Sequence, residues 1–364
     1  MRIGVDAHVL AGKFQGSRTY LLNLYQQVLE KQSNDEYLFF GHWDSERPYG
    51  DQVEYVNFKS SSRLKRLTYE TNPLLRDHNI ELYHSTYISP LRMNCDSIVT
   101  IHDILFETHP QFFTPQEVWR NKLLVRRSAK KAKQIHTVSE FSRQALIELY
   151  DVPEHKIFVV PNGVDLSRFT SGNKEAAQRN ISDKYGVQDY ILTVGRIEPR
   201  KNHIALLEAY KQLRERAGIQ QKLVIVGKPD FGFKSFFERM EQLQLQDDVQ
   251  IIDSVDDATL PDIYRAARLF VYPSFAEGFG IPPLEAMACG VPVVSSNRTA
   301  IPEVIGESGM LVDPTNINDL SSAMERMLSD EELRAASIIR GLEQSTRWTW
   351  ESAAEKFINA LDAI

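Results

Sequence analysis

Cysteine is scarce in this chain. Its 364 residues include two, Cys95 and Cys289, far apart and without metal-ligand spacing. This excludes a disulfide framework and a cysteine-based zinc site, and fits a reducing compartment. Long apolar runs are missing too. No stretch approaches the roughly 20 apolar residues that a membrane span needs. The opening MRIGVDAHVL is interrupted by Asp6 and His8, unlike a secretory signal. Positive charge is not in excess. With 42 Lys and Arg against 49 Asp and Glu the net charge is −7, which excludes a nucleic-acid binder by overall charge. The GxGxxG spacing of NAD enzymes is absent, as are internal repeats and low-complexity segments. A cytoplasmic protein is expected, with peripheral contact at the inner face of the cell membrane left open.

The composition that remains, 42% hydrophobic and 25% charged, is that of a soluble globular protein long enough for two domains. Apolar runs with strand character alternate with helical patterns. In the first half they fall at Arg2–Ala7, Tyr37–Gly41, Val53–Phe58, Glu81–His84, Ser97–Ile101, Gln134–Val138 and Ile157–Val160. A helix is expected over Arg63–Asp77, and Ser139 is a good N-cap for one over Glu140–Tyr150. Such alternation implies parallel sheets covered on both faces, with ligands at the carboxyl ends of strands. The polar stretch Thr170–Asn180 reads as a linker. Further strands follow at Tyr190–Val194, Leu223–Val226 and Val249–Ile252, and three helices close the chain at Ile317–Leu328, Glu331–Gln344 and Trp350–Leu361.

The most informative stretch is Pro273–Pro292, PSFAEGFGIPPLEAMACGVP. It begins where the apolar run Ala267–Tyr272 ends. A glycine-flanked turn follows, then two prolines of the kind a first helical turn accepts, then a helix ending near Gly290. A strand, a glycine loop and a helix start present free N–H groups and a positive dipole end to an anion. Glu277 and Glu285 bracket the turn. That combination suits a ligand with both phosphates and hydroxyls, such as a nucleotide sugar.

The run EGFGIPPLEAMACGVPVV, with Glu277 eight positions before Glu285, resembles the signature of retaining glycosyltransferases of the GT-B class. The resemblance extends over nearly the whole chain and is nearest to family four of the sequence-based classification, in its bacterial polysaccharide mannosyltransferase-like branch. It implies an α/β fold of two Rossmann-like parallel-sheet domains facing a cleft, with a C-terminal helix crossing back to the first domain. The expected boundaries are 1–170 for the acceptor-side domain, 171–345 for the donor domain and 346–364 for the returning helix.

The resemblance also implies roles. Arg196 and Lys201, after the strand Tyr190–Val194, match the family's paired phosphate binders; no metal is expected, so fixed cations must stabilise the diphosphate leaving group. The backbone of Gly278, Phe279, Gly280 and Ile281 joins them on the donor, and Glu285 accepts from the ribose hydroxyls. Glu277 hydrogen-bonds the sugar and favours positive charge at the anomeric carbon. His102, at the end of VTIHDI, matches the active-site histidine, and Asp103 beside it orients or caps the next segment. Gly16 belongs to the first glycine loop, with Gly12. Arg18 stands where the family carries a second glycine. Arg298, Thr299 and Ala300 are candidates to border the sugar.

The expected donor is GDP-mannose, with a UDP-sugar as the alternative. The acceptor is a glycan or lipid-linked oligosaccharide of cell-surface polysaccharide biosynthesis. A nucleotide-sugar epimerase, a phosphorylase and a catalytically inactive nucleotide-binding subunit are the other readings of such a chain. Arg120–Lys133 holds seven basic residues and no acidic one. It reads either as a solvated helix face or as a patch for anionic lipid.

Overall fold

A computed structural model describes residues 1–10, 16–31, 35–43 and 47–364. It divides into two compact units. One comprises Met1–Asn162 with Trp350–Ile364, the other Gly163–Thr349.

The first unit holds β1 (Arg2–Asp6), β2 (Glu36–Gly41), β3 (Glu54–Asn57), β4 (Leu82–Thr86), β5 (Asp96–Thr100), β6 (Gln134–Thr137) and β7 (Ile157–Val159), in the order β3-β2-β1-β4-β5-β6-β7. The second holds β8 (Ile191–Val194), β9 (Leu223–Val226), β10 (Val249–Ile252), β11 (Leu269–Tyr272), β12 (Val293–Ser296) and β13 (Met310–Val312), in the order β10-β9-β8-β11-β12-β13. All pairings are parallel. Strands β4, β6, β9, β11 and β12 are buried along their whole length, as a parallel sheet covered on both faces requires. Each sheet therefore has the doubly wound order, whose direction reverses between β1 and β4 and between β8 and β11. Those reversals leave crevices at the strands' carboxyl ends.

Two local expectations need correction. The helix over Arg63–Asp77 is interrupted by a wider π-helical turn at Arg66–Glu70. The turn goes with a buried Arg66, whose guanidinium reaches the carboxylate of Asp6 at the end of β1. The linker expected at Thr170–Asn180 is largely helix. Asn173 caps Lys174–Tyr185 by accepting from the Ala176 amide at 2.9 Å, and Ala177 and Ile181 bury its inner face. Its outer face is polar, which is why composition alone resembles a linker.

The helix Trp350–Leu361 belongs to the first unit and lies on the helix Gly16–Glu30. Phe357 packs on Tyr25, His84 and His136, with centroids 5.2–5.6 Å apart. Gln134 donates to the Ala360 carbonyl at 2.7 Å. Among the described residues no helix is long and apolar enough to cross a membrane.

Candidate active site

In the second unit the loops after β8 and β11 meet at the sheet's reversal. The β11 loop carries Glu277, which is 8% exposed. Its Oε1 accepts from Lys201 Nζ at 2.7 Å, from the Tyr272 hydroxyl at 3.0 Å and from Ser274 Oγ at 2.5 Å. Its Oε2 pairs with the Arg200 guanidinium at 2.8 Å. Burial favours the neutral acid, but Arg200 and Lys201 outweigh it and hold the carboxyl down at about 2. Glu277 is thus a fixed negative charge at neutral pH and cannot act as a general acid. Oε1 is saturated, while Oε2 keeps capacity for a further donor such as a sugar hydroxyl.

Arg200 is the residue that sequence reasoning missed. Its guanidinium also donates to the Ala276 carbonyl at 2.7 Å and to Glu198 at 2.6 Å, and its own carbonyl accepts from the Phe275 amide at 2.9 Å. It therefore fastens the β8 loop to the β11 loop. Burial lowers the tendency of Arg200 to stay charged, yet Glu277 and Glu198 raise it above its ordinary value. Lys201, expected as a phosphate binder, is occupied by Glu277 and the Tyr272 hydroxyl, and burial lowers its pKa. Arg196 is half exposed and pairs with Asp230 at 2.7 Å. The signal available for Arg200 was its place beside Lys201 in the turn Pro199–Lys201. A run of adjacent cations does not say which one turns inward.

The helix Ile281–Ala288 starts at the glycine loop. Gly280 has φ +136°, and a Cβ there would come within 3.0 Å of Ile301. Pro282 and Pro283 have no N–H. Among the described residues the amides of Gly280 and Ile281 take no backbone acceptor. They are the orphan donors an anion could use. Phe279 turns away and packs edge-on against Trp348 at 5.4 Å. The Glu277 amide donates to Thr299 Oγ1 at 2.9 Å, so Thr299 positions the loop, while Arg298 pairs with Asp313.

Glu285, on the next turn, accepts from the Tyr264 hydroxyl at 2.7 Å. Burial lifts its carboxyl to about 7, against the lowering pull of Tyr264 and Arg168. The two bracketing glutamates therefore differ. Glu277 is ionised throughout the physiological range, whereas Glu285 titrates within it.

In the first unit His102 follows β5 and is buried between Tyr20, edge-on at 4.8 Å, and Tyr87 at 5.6 Å. Burial depresses it to about 4, so it is neutral. Among the described residues its Nε2 has no partner, an unmet polar atom of the kind a ligand hydroxyl satisfies. Asp103 accepts from the Leu105 amide at 3.0 Å and caps the following turn. At the end of β1, Asp6 accepts from both Arg66 and His8 at 2.7 Å. Burial would raise the Asp6 pKa, but His8 and Arg66 lower it well below the usual carboxylate range. Gly16 opens the first helix, and no described residue comes within 4 Å of where its Cβ would be. Gly12 lies outside the described residues. Among the described residues no cluster of His, Cys, Asp or Glu could hold a metal ion.

Residues 174–344 match the family described as glycosyl transferases group 1, and residues 14–168 match glycosyltransferase family 4. O-antigen chain mannosyltransferase B of Escherichia coli is 35% identical over 79% of this chain and 75% of its own. Two solved structures share the fold. Sucrose-phosphate synthase from Thermosynechococcus elongatus superposes with a TM-score of 0.81 at 20% identity, over 100% of this chain and 98% of that one. The Anabaena protein HepE in complex with UDP-glucose gives 0.77 at 18% identity, over 100% and 99%.

Proposed function

We propose a reaction for a chain that belongs to the mannosyltransferase-like branch of the family 4, GT-B glycosyltransferases: transfer of mannose from GDP-mannose, with retention of configuration, to a glycan or lipid-linked acceptor of a cell-surface polysaccharide. The observation that carries it is the ionised Glu277 carboxylate, held by Arg200 and Lys201 at the reversal of the second sheet, beside the orphan amides of Gly280 and Ile281. The choice of mannose is supported by the mannosyltransferase at 35% identity.

In this reading the amides at the helix start and Arg196 hold the diphosphate. Arg196 exchanges Asp230 for a phosphate oxygen, and Glu285 accepts from the ribose hydroxyls. Glu277 Oε2 accepts from a mannose hydroxyl, and its charge favours the oxocarbenium-like anomeric carbon. The bond from that carbon to the phosphate oxygen breaks as the acceptor oxygen attacks the same face. The acceptor proton passes to the departing phosphate oxygen. In the first unit His102 offers Nε2 to a ligand hydroxyl. Work at the inner face of a cell membrane, with peripheral contact through Arg120–Lys133, completes the reading.

A thermal-shift panel of GDP, UDP, ADP and their sugar conjugates tests it. A bound nucleotide at a hundredfold excess over Kd adds about 2.7 kcal/mol of apparent stability. A GDP-selective shift that disappears in Arg196→Ala is the expected result. A UDP-selective shift replaces the donor, and the absence of any shift overturns the reading.

A further inference from the structure

Three cations follow β8, and two of them are committed. The side chains of Arg200 and Lys201, 19% and 12% exposed, are held by Glu277, and Arg200 also holds Glu198. Arg196 is different. Its side chain is half exposed, and among the described residues its guanidinium has one partner, the carboxylate of Asp230 in the loop after β9. Asp230 Oδ2 accepts from it at 2.7 Å. Arg196 is therefore the cation of this loop that can change partners without stranding a buried charge.

The two loops are joined without this ion pair. The Gly195 amide donates to the Val226 carbonyl at 2.9 Å, the Ile197 amide to the Lys228 carbonyl at 2.9 Å and the Asp230 amide to the Ile197 carbonyl at 3.0 Å. An ion pair exposed on both sides adds little stability to such a junction. What it does is set a carboxylate oxygen on the guanidinium where a phosphate oxygen would bind. The other oxygen of the same carboxylate, Oδ1, accepts from the Phe231 amide at 2.8 Å. A displaced Asp230 thus stays tethered beside Arg196. A tethered group competes at an effective concentration on the order of millimolar.

We propose that Asp230 is a built-in competitor of the nucleotide's diphosphate. Its carboxylate neutralises Arg196 between turnovers and yields to a phosphate oxygen when the donor arrives. By returning to Arg196 it speeds departure of the nucleoside diphosphate after transfer. The inference rests on Arg196 as a phosphate binder and is independent of base and sugar. It adds to the exchange at Arg196 a control of affinity and release by one side chain. The diphosphate prevails on arrival because it carries more charge than a carboxylate and matches the guanidinium fork. The carboxylate prevents that match from becoming a trap, since a product held too tightly limits turnover.

The test compares the full wild-type chain with Asp230→Asn and Asp230→Ser, both of which keep an oxygen for the Phe231 amide. Calorimetry with GDP and with inorganic pyrophosphate gives affinity. Displacement of a fluorescent GDP derivative in stopped flow gives the release rate. Expected in both variants is about fivefold tighter binding of GDP and of pyrophosphate, carried mainly by slower release. Guanosine, which has no phosphate, is expected to bind all three chains alike. In an Arg196→Ala background the same substitutions are expected to add nothing, because the competitor acts through that guanidinium. Unchanged affinity, an equal gain for guanosine, a gain carried by faster association alone, or a gain that persists without Arg196 overturns the inference and leaves the donor reading standing. If UDP is the nucleotide bound, the same comparison with UDP decides in the same way. A wild-type chain that binds neither nucleotide nor pyrophosphate overturns the donor reading and this inference together.

Discussion

The Arg200 guanidinium lies 2.8 Å from Glu277 Oε2 and also donates to the carbonyl of Ala276, the residue just before that glutamate. One side chain thus fixes both the charge and the backbone position of the candidate catalytic carboxylate. Lys201 holds the other oxygen. Removing a partner from a buried pair costs more than the pair contributes, because it strands the remaining charge.

Glu277→Gln is therefore expected to lower kcat by about 10²–10³ with little change in donor affinity, as for loss of a charge that acts mainly in the transition state. Steady-state kinetics alongside nucleotide titrations check this. Equal losses in both would contradict the role. The same variant leaves Arg200 and Lys201 without their carboxylate, and an unfolding free energy lowered by about 3 kcal/mol is expected.

Arg200→Lys keeps the charge but cannot reach Glu198, Glu277 and the Ala276 carbonyl together. It is expected to lose turnover nearly as far as Glu277→Gln does. Arg196→Lys, at a half-exposed position, is expected to lose donor affinity with less effect on stability. Thermal melts with and without GDP separate the two.

Glu285 sits at about 7 because burial disfavours its charge. If ribose hydroxyls bind the carboxylate, nucleotide affinity is flat above about pH 8 and falls about tenfold per pH unit below 7, since the ligand must then displace a proton. Calorimetric titration of GDP across this range is the measurement. In Glu285→Gln the profile is expected to be flat and the affinity lower.

His84, His102 and His203 are buried and neutral, lowered by burial to about 3, 4 and 3. An unfolded chain takes up these protons near pH 6.5, before the folded one does. Stability is thus full above 6.5 and falls by about 1.4 kcal/mol per unit per histidine as the pH drops toward 4. His84 is bonded on both sides, to Tyr25 at 2.6 Å and Thr100 at 2.7 Å, beneath Phe357 of the returning helix. Urea melts between about pH 7 and 4.5 are expected to show this slope, reduced by one histidine's share in His84→Gln.

Gly227 admits no side chain. A Cβ there would lie 2.0 Å from the Gly195 carbonyl oxygen, where the loops after β8 and β9 touch. Gly227→Ala is expected to cost about 3 kcal/mol of stability and to move Arg196, whose amide is 3.2 Å from the same point. A lowered melting temperature with a weakened GDP shift is the expected outcome.

Strand and helix periodicity determined the succession of elements from sequence, because apolar side chains must alternate or recur where a sheet or helix buries them. The segments Glu140–Tyr150 and Trp350–Leu361 emerge with the bounds expected. The glutamates and glycines of the β11 loop were legible for a related reason. A positive φ at Gly280 and a helix start carrying two prolines are local demands, written in adjacent residues. Burial and partnership were not legible. Nothing in the sequence singles out Arg66 or Arg200, which folding sets against Asp6 and Glu277, 60 and 77 positions away. Lys201 reads as a phosphate binder, and the structure sets it against Glu277. The titration of Glu277 and Glu285 is the clearest division. Two identical side chains eight apart are held in opposite directions, because burial raises Glu285 with little to offset it, while Arg200 and Lys201 outweigh burial at Glu277. Spacing along a chain records what a backbone must do locally, whereas the charge state of a buried group depends on which distant side chains replace its lost water.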